Sequence, residues 1–551
     1  MGHRDSVERL PCSLTLLVWL VCVLFLSALT VADPDLWGHT LYGLRAIDLG
    51  VLTERSDPFS YTVPSGQWIN HEWASEYEFG LAWRMFGNAG LILWRSTLVT
   101  GVLWFVLAAI RRAGAGLATA TMLLVIGAEC LSDFVVFVRP QVTTFFCFAA
   151  YLFILQSWWQ QSGSDSTAVD RSPSRWLFAV PLLMVAWVNH HGGFLAGIGV
   201  LGIYCVGALL RALADSATIP AARRIVVVSL LTLFATFINP YGWNLHAMLW
   251  DHLWTTQLVR EWRPVWSVGP SPVLAVPFGM AAFACVFSRR RSLIDFVVLL
   301  VIGWQAVSHL RHVALLCIAV MVLLPAQIED ALQRLFPQLR ERWTGAEHLW
   351  KQRAGVAVVC VFLAGLQVQT SLDLWKHGVA PWEIAVENRS YVPGMPTRAL
   401  VVMQQLDING NLVTDYGWGQ FAIWHTFPAS HVAFDGRYRT VYPAEIEQKL
   451  TAFQKAGDDL PQVCPLIDDF PTEIALLPVK AGTTRYLDTR ADWVGVYRDD
   501  QAALFVRDLP RFAGQIRQVS QLDMDLRLDP EVPRWTVFPG LPERGTRVAF
   551  D

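Results

Sequence analysis

The stretch LTLLVWLVCVLFLSALTVA, residues 14–32, followed at once by DPDLWGH, residues 33–39, decides how this chain is read. The first part carries no charge and, as a helix, is long enough to cross the roughly 30 Å hydrocarbon layer of a bilayer. The second part stops it with two carboxylates around a proline, a turn placed where the span would leave the membrane. Arg4 and Arg9 precede the run, so it also has the layout of a signal peptide, with Ala32 at the cleavage position. It exceeds a usual signal core and many apolar runs follow it, so it is read as an uncleaved first anchor.

Those runs lie near 91–110, 116–136, 142–158, 176–189, 193–210, 225–238, 272–287, 293–307, 313–325 and 354–370. They predict a mostly α membrane protein with about eleven transmembrane helices. Composition agrees. Of 551 residues, 54% are hydrophobic and 16% charged, and the mean hydropathy is +0.37. Soluble domains carry about 25% charged residues, so the deficit sits in the long uncharged runs. The 25 tryptophans suit membrane interfaces, where the ring and its N–H are both satisfied. A net charge of −3 with no basic patch gives nothing for nucleic acid to bind. Of nine cysteines only Cys464 lies clear of the apolar half, which excludes a disulfide framework and paired metal-ligand spacing.

The connections between the runs alternate in charge. With the N-terminus inside, inner connections hold Arg111-Arg112, Arg171 and Arg175, Arg211 with Arg223-Arg224, and Arg289-Arg290-Arg291. Segment 327–353 adds Arg334, Arg340, Arg342, Lys351 and Arg353, whereas the opposite loops hold scattered Arg139, Arg263 and Arg311. This is the bias expected of a multi-pass protein of the bacterial inner membrane. An odd number of spans places the tail outside. The division expected is a transmembrane domain, 1–370, with a first outer loop at 33–90, and an extracytoplasmic domain, 371–551. The tail is polar and Pro-rich, with β-type runs such as Asn411–Thr414, His431–Phe434 and Ala502–Val506 and a helical pattern at Ala444–Lys455. That reads as a small soluble α/β domain. Ser162–Ser174 reads as a flexible, solvated inner loop.

Polar chemistry is concentrated on the outer side. The first outer loop carries Asp33, Asp35 and His39, then Asp57-Pro58-Phe59-Ser60-Tyr61, then Asn70-His71-Glu72-Trp73. Later loops bring Arg139-Pro140-Gln141, Asn189-His190-His191-Gly192-Gly193, Asn239-Pro240-Tyr241-Gly242-Trp243, Glu261-Trp262-Arg263-Pro264 and Ser308-His309-Leu310-Arg311-His312. Such groups at helix ends are expensive unless they face water or one another, so together they suggest a lined cavity. Each also has a plainer reading. Asp33-Pro34, His190–Gly193 and Asn239–Gly242 are turn signals, the three Arg are interface anchors, and Glu72 is an ion-pair partner for one of them. Six histidines (His39, His71, His190, His191, His309, His312) beside carboxylates leave room for a divalent metal such as Mg or Mn, although no spacing resembles a zinc site.

Asp-Pro-Asp-Leu-Trp-x-His after the first span, Asp-Pro-Phe-Ser-Tyr-Thr and His-Glu-Trp resemble a large family of bacterial membrane proteins. That family is related to the C-type glycosyltransferases, which include protein O-mannosyltransferases, aminoarabinose transferases and oligosaccharyltransferases. The later outer motifs extend the resemblance through most of the membrane half. It implies transfer of a sugar from a polyprenyl-phosphate donor to an extracytoplasmic glycan, lipid or protein acceptor. The acidic residue directly after the first helix, here Asp35 or Asp33, would be catalytic, with Glu72 assisting. His39, His71, Arg139, His190, His191, Tyr241, Glu261, Arg263, His309, Arg311 and His312 would form the substrate site, with outer Arg holding the lipid phosphate. In the tail, Asp415-Tyr416-Gly417-Trp418-Gly419-Gln420 and Phe434-Asp435-Gly436-Arg437 look like the Trp-Trp-Asp-Tyr-Gly region of oligosaccharyltransferases, with Val413-Thr414 in place of the Trp pair. That likeness implies acceptor binding by Asp415 and Tyr416, against a buried structural turn.

Two other classes compete: a lipid or glycan transporter, and a non-enzymatic envelope assembly protein. Transporters place charges near mid-membrane, whereas these runs are almost free of them, Glu129 excepted. For the assembly protein, the discriminator is whether the outer motifs converge or scatter.

Overall fold

The computed structural model describes residues 12–162, 175–253, 260–269, 271–337, 349–376, 378–386, 394–455, 464–521 and 537–540. The expected loop at 163–174, and Arg4, Arg9, Arg171, Arg340 and Arg342, lie outside the described residues.

The apolar runs fold as helices. They are α1 (Cys12–Ser27), α4 (Asn88–Arg112), α5 (Leu117–Val135), α6 (Gln141–Ser162), α7 (Ala179–His190), α8 (Phe194–Ala214), α9 (Ile219–Ala235), α11 (Pro272–Phe287), α12 (Leu293–Ser308), α13 (Val313–Leu323) and α15 (Leu349–Lys376). Between them, α2 (Leu36–Asp48), α3 (Trp73–Phe86) and α10 (Trp243–Leu253) come from the polar loops, and α14 (Pro325–Leu335) follows α13. The chain is thus a multi-pass membrane protein. Six described helices are long and apolar enough to cross a membrane, seven if the bent pair Leu310–Leu323 and Pro325–Leu335 counts as one span. The 70° bend falls at Pro325, which cannot continue the hydrogen-bond ladder of α13. The expected count of about eleven exceeds this because four of the apolar helices, at Ser13–Ser27, Ala179–His190, Val273–Phe287 and Leu293–Ser308, are shorter than a full span. Along α15, Trp350 and Trp375 are exposed near the two ends, as interfacial tryptophans are.

Two details position the polar loops. On α4, Arg95 is fully buried and donates to the carbonyls of Ser27, Leu29, Val135 and Val136. These are the C-terminal ends of α1 and α5, where unpaired carbonyls and helix dipoles attract a cation. The chain beyond each end is stitched to its neighbour: Val31 N–H donates to Val136 O, and Ala32 N–H to Ala385 O. Asp33 and Arg139 follow directly. The second detail is the crossing of α2 over α3. A Cβ on Gly43 would overlap the Glu76 carbonyl, and one on Gly80 the Gly43 backbone, so the two helices meet backbone to backbone. That closeness carries His39 to Glu72 and Glu76.

The tail is a mixed α/β region that opens with α16 (Thr397–Gln405). Its sheet comprises β1 (Asn411–Thr414), β2 (His431–Val432), β3 (Ile474–Pro478), β4 (Trp493–Arg498) and β5 (Ala502–Arg507), in the order β2-β1-β3-β5-β4. β1 runs parallel to β2 and β3; β5 is antiparallel to both neighbours. The helical pattern at Ala444–Lys455 is a helix, and the run at His431–Phe434 is ladder only over its first two residues. The first outer loop pairs with edge strand β2, Val432 exchanging hydrogen bonds with Phe59 O and Tyr61 N–H. Beside it, Arg437 is buried between Asp57 (2.7 Å) and Asp435 (2.7 Å), and Tyr442 donates to Asp435 at 2.7 Å. Trp68 and Phe59 cover the guanidinium at 4.9 and 5.0 Å. This locks the soluble region onto the membrane part. The carboxyl ends of β1 and β2 both lead into turns, Asp415–Trp418 and Ala433–Arg437, that border the site below.

Candidate functional site

Asp33 and Asp35 stand at one turn and do different work. Asp33 is 1% exposed; its Oδ1 accepts the Asp35 N–H at 2.9 Å and its Oδ2 is ion-paired with Arg139. Arg139 also pairs with Glu261 at 2.5 Å. Burial disfavours the Arg139 charge, but Asp33 and Glu261 more than offset it. Arg139 in turn holds the Glu261 carboxyl below the usual range, against burial. Asp35 is the N-cap residue of α2, yet makes no side-chain capping bond. Among the described residues its carboxylate has no hydrogen-bond or ion-pair partner. Burial, and then Asp33, push its pKa up to about 7, while His39 and Arg139 pull the other way.

One helical turn along α2, His39 faces two carboxylates of α3. Its Nδ1 lies 2.9 Å from Glu76 Oε1 and its Nε2 4.0 Å from Glu72 Oε2. Burial opposes the imidazolium, but the hydrogen bond to Glu76 and the charges of Glu72 and Glu76 raise its pKa to about 9. Asn70 Nδ2 donates to Glu76. Glu72 is also reached by His191 Nε2 at 3.6 Å and His71 Nε2 at 3.7 Å. Burial raises its pKa, but His71, His39, His191 and Arg311 outweigh it and hold the carboxyl low. Its near partners are therefore histidines rather than a bonded arginine.

His191 stays neutral, pulled down to about 3 by burial with Arg311 adding to it. Gly193 N–H donates to its Nδ1 at 2.9 Å, with Thr144 Oγ1 also 2.9 Å away, so the ring proton sits on Nε2, toward Glu72. Arg311 lies 3.4 Å from that Nε2, with its guanidinium 4.5 Å over the Trp262 ring. Among the described residues no carboxylate pairs with Arg311.

The outer motifs thus converge in part. Asp33, Asp35, His39, His71, Glu72, Arg139, His191, Glu261 and Arg311 form one connected polar cluster. Four expected site residues stand apart from it, and a fifth, His190, turns to Glu78 (3.1 Å) on the other side of α3. Tyr241 bonds Thr53 at 3.1 Å and sits under Arg55, so it anchors the first outer loop. Arg263 is exposed and contributes its carbonyl to Leu310. His309 and His312 pack on one another at 5.3 Å, His309 also against Trp262, and the Nδ1 of each is buried without a partner. In the tail, Asp415 Oδ1 accepts the Gly417 N–H at 3.0 Å, which shapes a turn. Burial raises its carboxyl. Tyr416 comes close enough that Asp35 adds to the effect of burial in raising its phenol.

Sequence reading missed Glu76, and it named Gly38, Gln420 and Gly436 only as members of motifs, with no role for any of them. Glu76 stands four residues after Glu72, one helical turn on, and that spacing was the available signal. Gly436 was named only within the Phe434–Arg437 motif; that its Cβ would overlap Asp35 Oδ1 is decided by the fold.

His39, Glu72 and Glu76 bring their ligand atoms within 4.8 Å of one another, so these are the residues that would hold a divalent cation. The proton on His39 occupies the same place between the two carboxylates, so ion and proton would compete for it.

The fold is similar to those of two solved proteins, an oligosaccharyltransferase and ArnT. The apo oligosaccharyltransferase of Archaeoglobus fulgidus superposes with TM-score 0.51 at 12% identity, over 85% of this chain and 70% of that one. ArnT from Cupriavidus metallidurans, solved bound to undecaprenyl phosphate, gives TM-score 0.51 at 14% identity, over 90% of this chain and 96% of that one. Its apo state gives 0.50 with the same identity and coverage. No family model matches the chain, and no curated protein matches its sequence.

Proposed function

We propose that this protein moves a sugar from a polyprenyl-phosphate-linked donor to an acceptor on the outer side of the bacterial inner membrane, with Asp35 as the base. The carrying observation is the contrast between neighbouring carboxylates: Asp33 is committed to Arg139, whereas the Asp35 carboxylate has no hydrogen-bond or ion-pair partner among the described residues and burial pushes its pKa up to about 7. A base of that pKa is ionised enough to act at neutral pH and basic enough to accept a proton. The fold shared with ArnT, a protein solved with undecaprenyl phosphate, supports the donor class.

The acceptor hydroxyl gives its proton to Asp35 as its oxygen bonds to the anomeric carbon. The bond from that carbon to the phosphate oxygen breaks, and its electron pair leaves with the polyprenyl phosphate. That leaving group needs positive charge rather than a proton. Arg311, free of a carboxylate and stacked on Trp262, supplies it, with Arg139 beside it. Neutral His191 orients Glu72, and His39 balances Glu72 and Glu76. A divalent cation bound there would add charge for the phosphate.

In this reading the four shorter helices complete eleven spans, the N-terminus is cytoplasmic, and residues 371–551 form a periplasmic domain over the site. The Arg-rich inner connections support the orientation.

The test is full-length protein in membranes given defined polyprenyl-phosphate sugars, with release of polyprenyl phosphate followed. Transfer by the wild type and none by Asp35→Asn is expected. Full transfer by Asp35→Asn removes the assignment, and vectorial movement of the intact donor would make the protein a transporter.

A further inference from the structure

One buried polar side chain beside Asp35 has no place in the reaction just described. Gln420 lies in the first turn of the soluble region's helix α17 (Gly419–Thr426). It is 2% exposed, and its Oε1 is buried without a hydrogen-bond partner among the described residues. A buried amide oxygen left unpaired is unfavourable, and native chains seldom keep one without a reason.

The surroundings are shaped to admit this side chain. A Cβ on Gly38 would overlap the Gln420 carboxamide; a Cβ on Gly436 would overlap both Asp35 Oδ1 and Gln420 Nε2. One glycine belongs to α2 and the other to the turn after β2, so both halves of the molecule clear the same slot. The amide nitrogen and Asp35 Oδ1 both border the space a Gly436 Cβ would take, and the amide oxygen borders Gly38. Trp37 packs edge-on against Phe421, ring centroids 4.9 Å apart, which holds α2 to α17 and keeps the slot in register. An amide neither takes up nor releases a proton at neutral pH. Beside a carboxylate its nitrogen has one use, to donate.

We infer that Gln420 is a positioning residue for Asp35, donating an amide N–H to one carboxylate oxygen and so aiming the other at the acceptor. The structure sets the two groups side by side without a hydrogen bond between them, so the bond is the step inferred; its consequence for rate rests on the transferase reading above. It makes the base dependent on the soluble region, because Asp35 is aimed only while α17 is seated on α2. The sacrificed Oε1 is then explained: the amide is held for its nitrogen.

The experiment uses full-length Gln420→Met, which keeps the side-chain length and lacks the N–H. Gln420→Glu, of the same shape, replaces it should Met fail to fold. In membranes supplied with polyprenyl-phosphate sugar, kcat is expected to fall about tenfold or more while the donor KM stays within about twofold, the range of one hydrogen bond to a charged group. A merely structural residue would not divide the effect in that way. In parallel, thermal unfolding of wild type, Gln420→Met, Asp35→Asn and the double variant is compared in detergent, and non-additive shifts are expected. Unchanged kcat in Gln420→Met, where Asp35→Asn abolishes transfer, overturns the inference and leaves the transferase reading standing. Additive unfolding shifts overturn the contact itself. Non-additive shifts in a protein whose transfer is indifferent to Asp35→Asn uphold the contact and overturn the assignment of Asp35 as base instead.

Discussion

The bare Cα of Gly436 lies against the carboxylate of Asp35, so closely that a methyl group there would occupy the space of Asp35 Oδ1. The two residues lie far apart in the chain, in the turn after β2 and in the turn before α2. Ion pairs on either side fix the approach, Arg437 with Asp57 and Arg139 with Asp33. Gly436→Ala is therefore expected to displace Asp35 with little effect on folding. Transfer should fall about a hundredfold, as for a misplacement of about 1 Å in other sites. Parallel measurement of thermal unfolding separates this from collapse of the domain.

The two first-loop carboxylates should respond oppositely to amide substitution. Asp35→Asn is expected to lower transfer by about 10²–10⁴, the usual contribution of a general base. Asp33→Asn removes one partner of a buried pair and should lower the unfolding temperature, because Arg139 loses its main counter-charge. For Asp35 the folded-state pKa, about 7, is raised above the usual 3.8. The stability that protonation lends is present below pH ~4 and lost as pH rises through 7. Asp35→Asn should then match wild type at pH 4 and exceed it at pH 8 by about 4 kcal/mol. Denaturation in detergent at the two pH values is the measurement.

The acid limb of kcat/KM should fall near pH 7, leaving about a tenth of the plateau one unit below it. Glu76→Gln weakens the charge on His39, and that charge favours ionised Asp35. The limb is expected to move to higher pH in this variant. A shift downward, or none, would break the proposed link from Glu76 through His39 to Asp35.

Arg311→Ala is expected to raise the donor KM and weaken inhibition by free polyprenyl phosphate together, since one guanidinium serves both. Arg311→Lys should recover part of each, restoring the charge without the planar stack on Trp262. Competition assays with polyprenyl phosphate and with uncharged polyprenol distinguish loss of the phosphate contact from loss of the lipid groove.

Arg95 offers a test of architecture apart from chemistry. Arg95→Leu leaves carbonyls at the ends of α1 and α5 without their donor and should cost about 3 kcal/mol. Arg95→Lys should recover part of it through a single charge at the same two helix ends. Unfolding in detergent reads both.

How much of this was legible beforehand follows from the range of the forces involved. The apolar runs, the turn at Asp33-Pro34-Asp35, the helix at Ala444–Lys455 and the concentration of ionisable groups on one side are local properties. Each depends on neighbours a few residues away and on contrast with lipid, so the amino-acid sequence by itself determined a multi-pass helical protein with a polar outer face and an α/β tail. The different duties of Asp33 and Asp35 were not local. Both flank the same proline, and only the placement of Arg139 by Arg95 and the paired helix ends commits one of them. His190 and His191 are adjacent in sequence, yet the end of α7 turns one to Glu78 and the other to Glu72. Tertiary structure alone decided these assignments, along with the slot shared by Gly38, Gln420 and Gly436, because burial and charge act between side chains that only the fold makes neighbours.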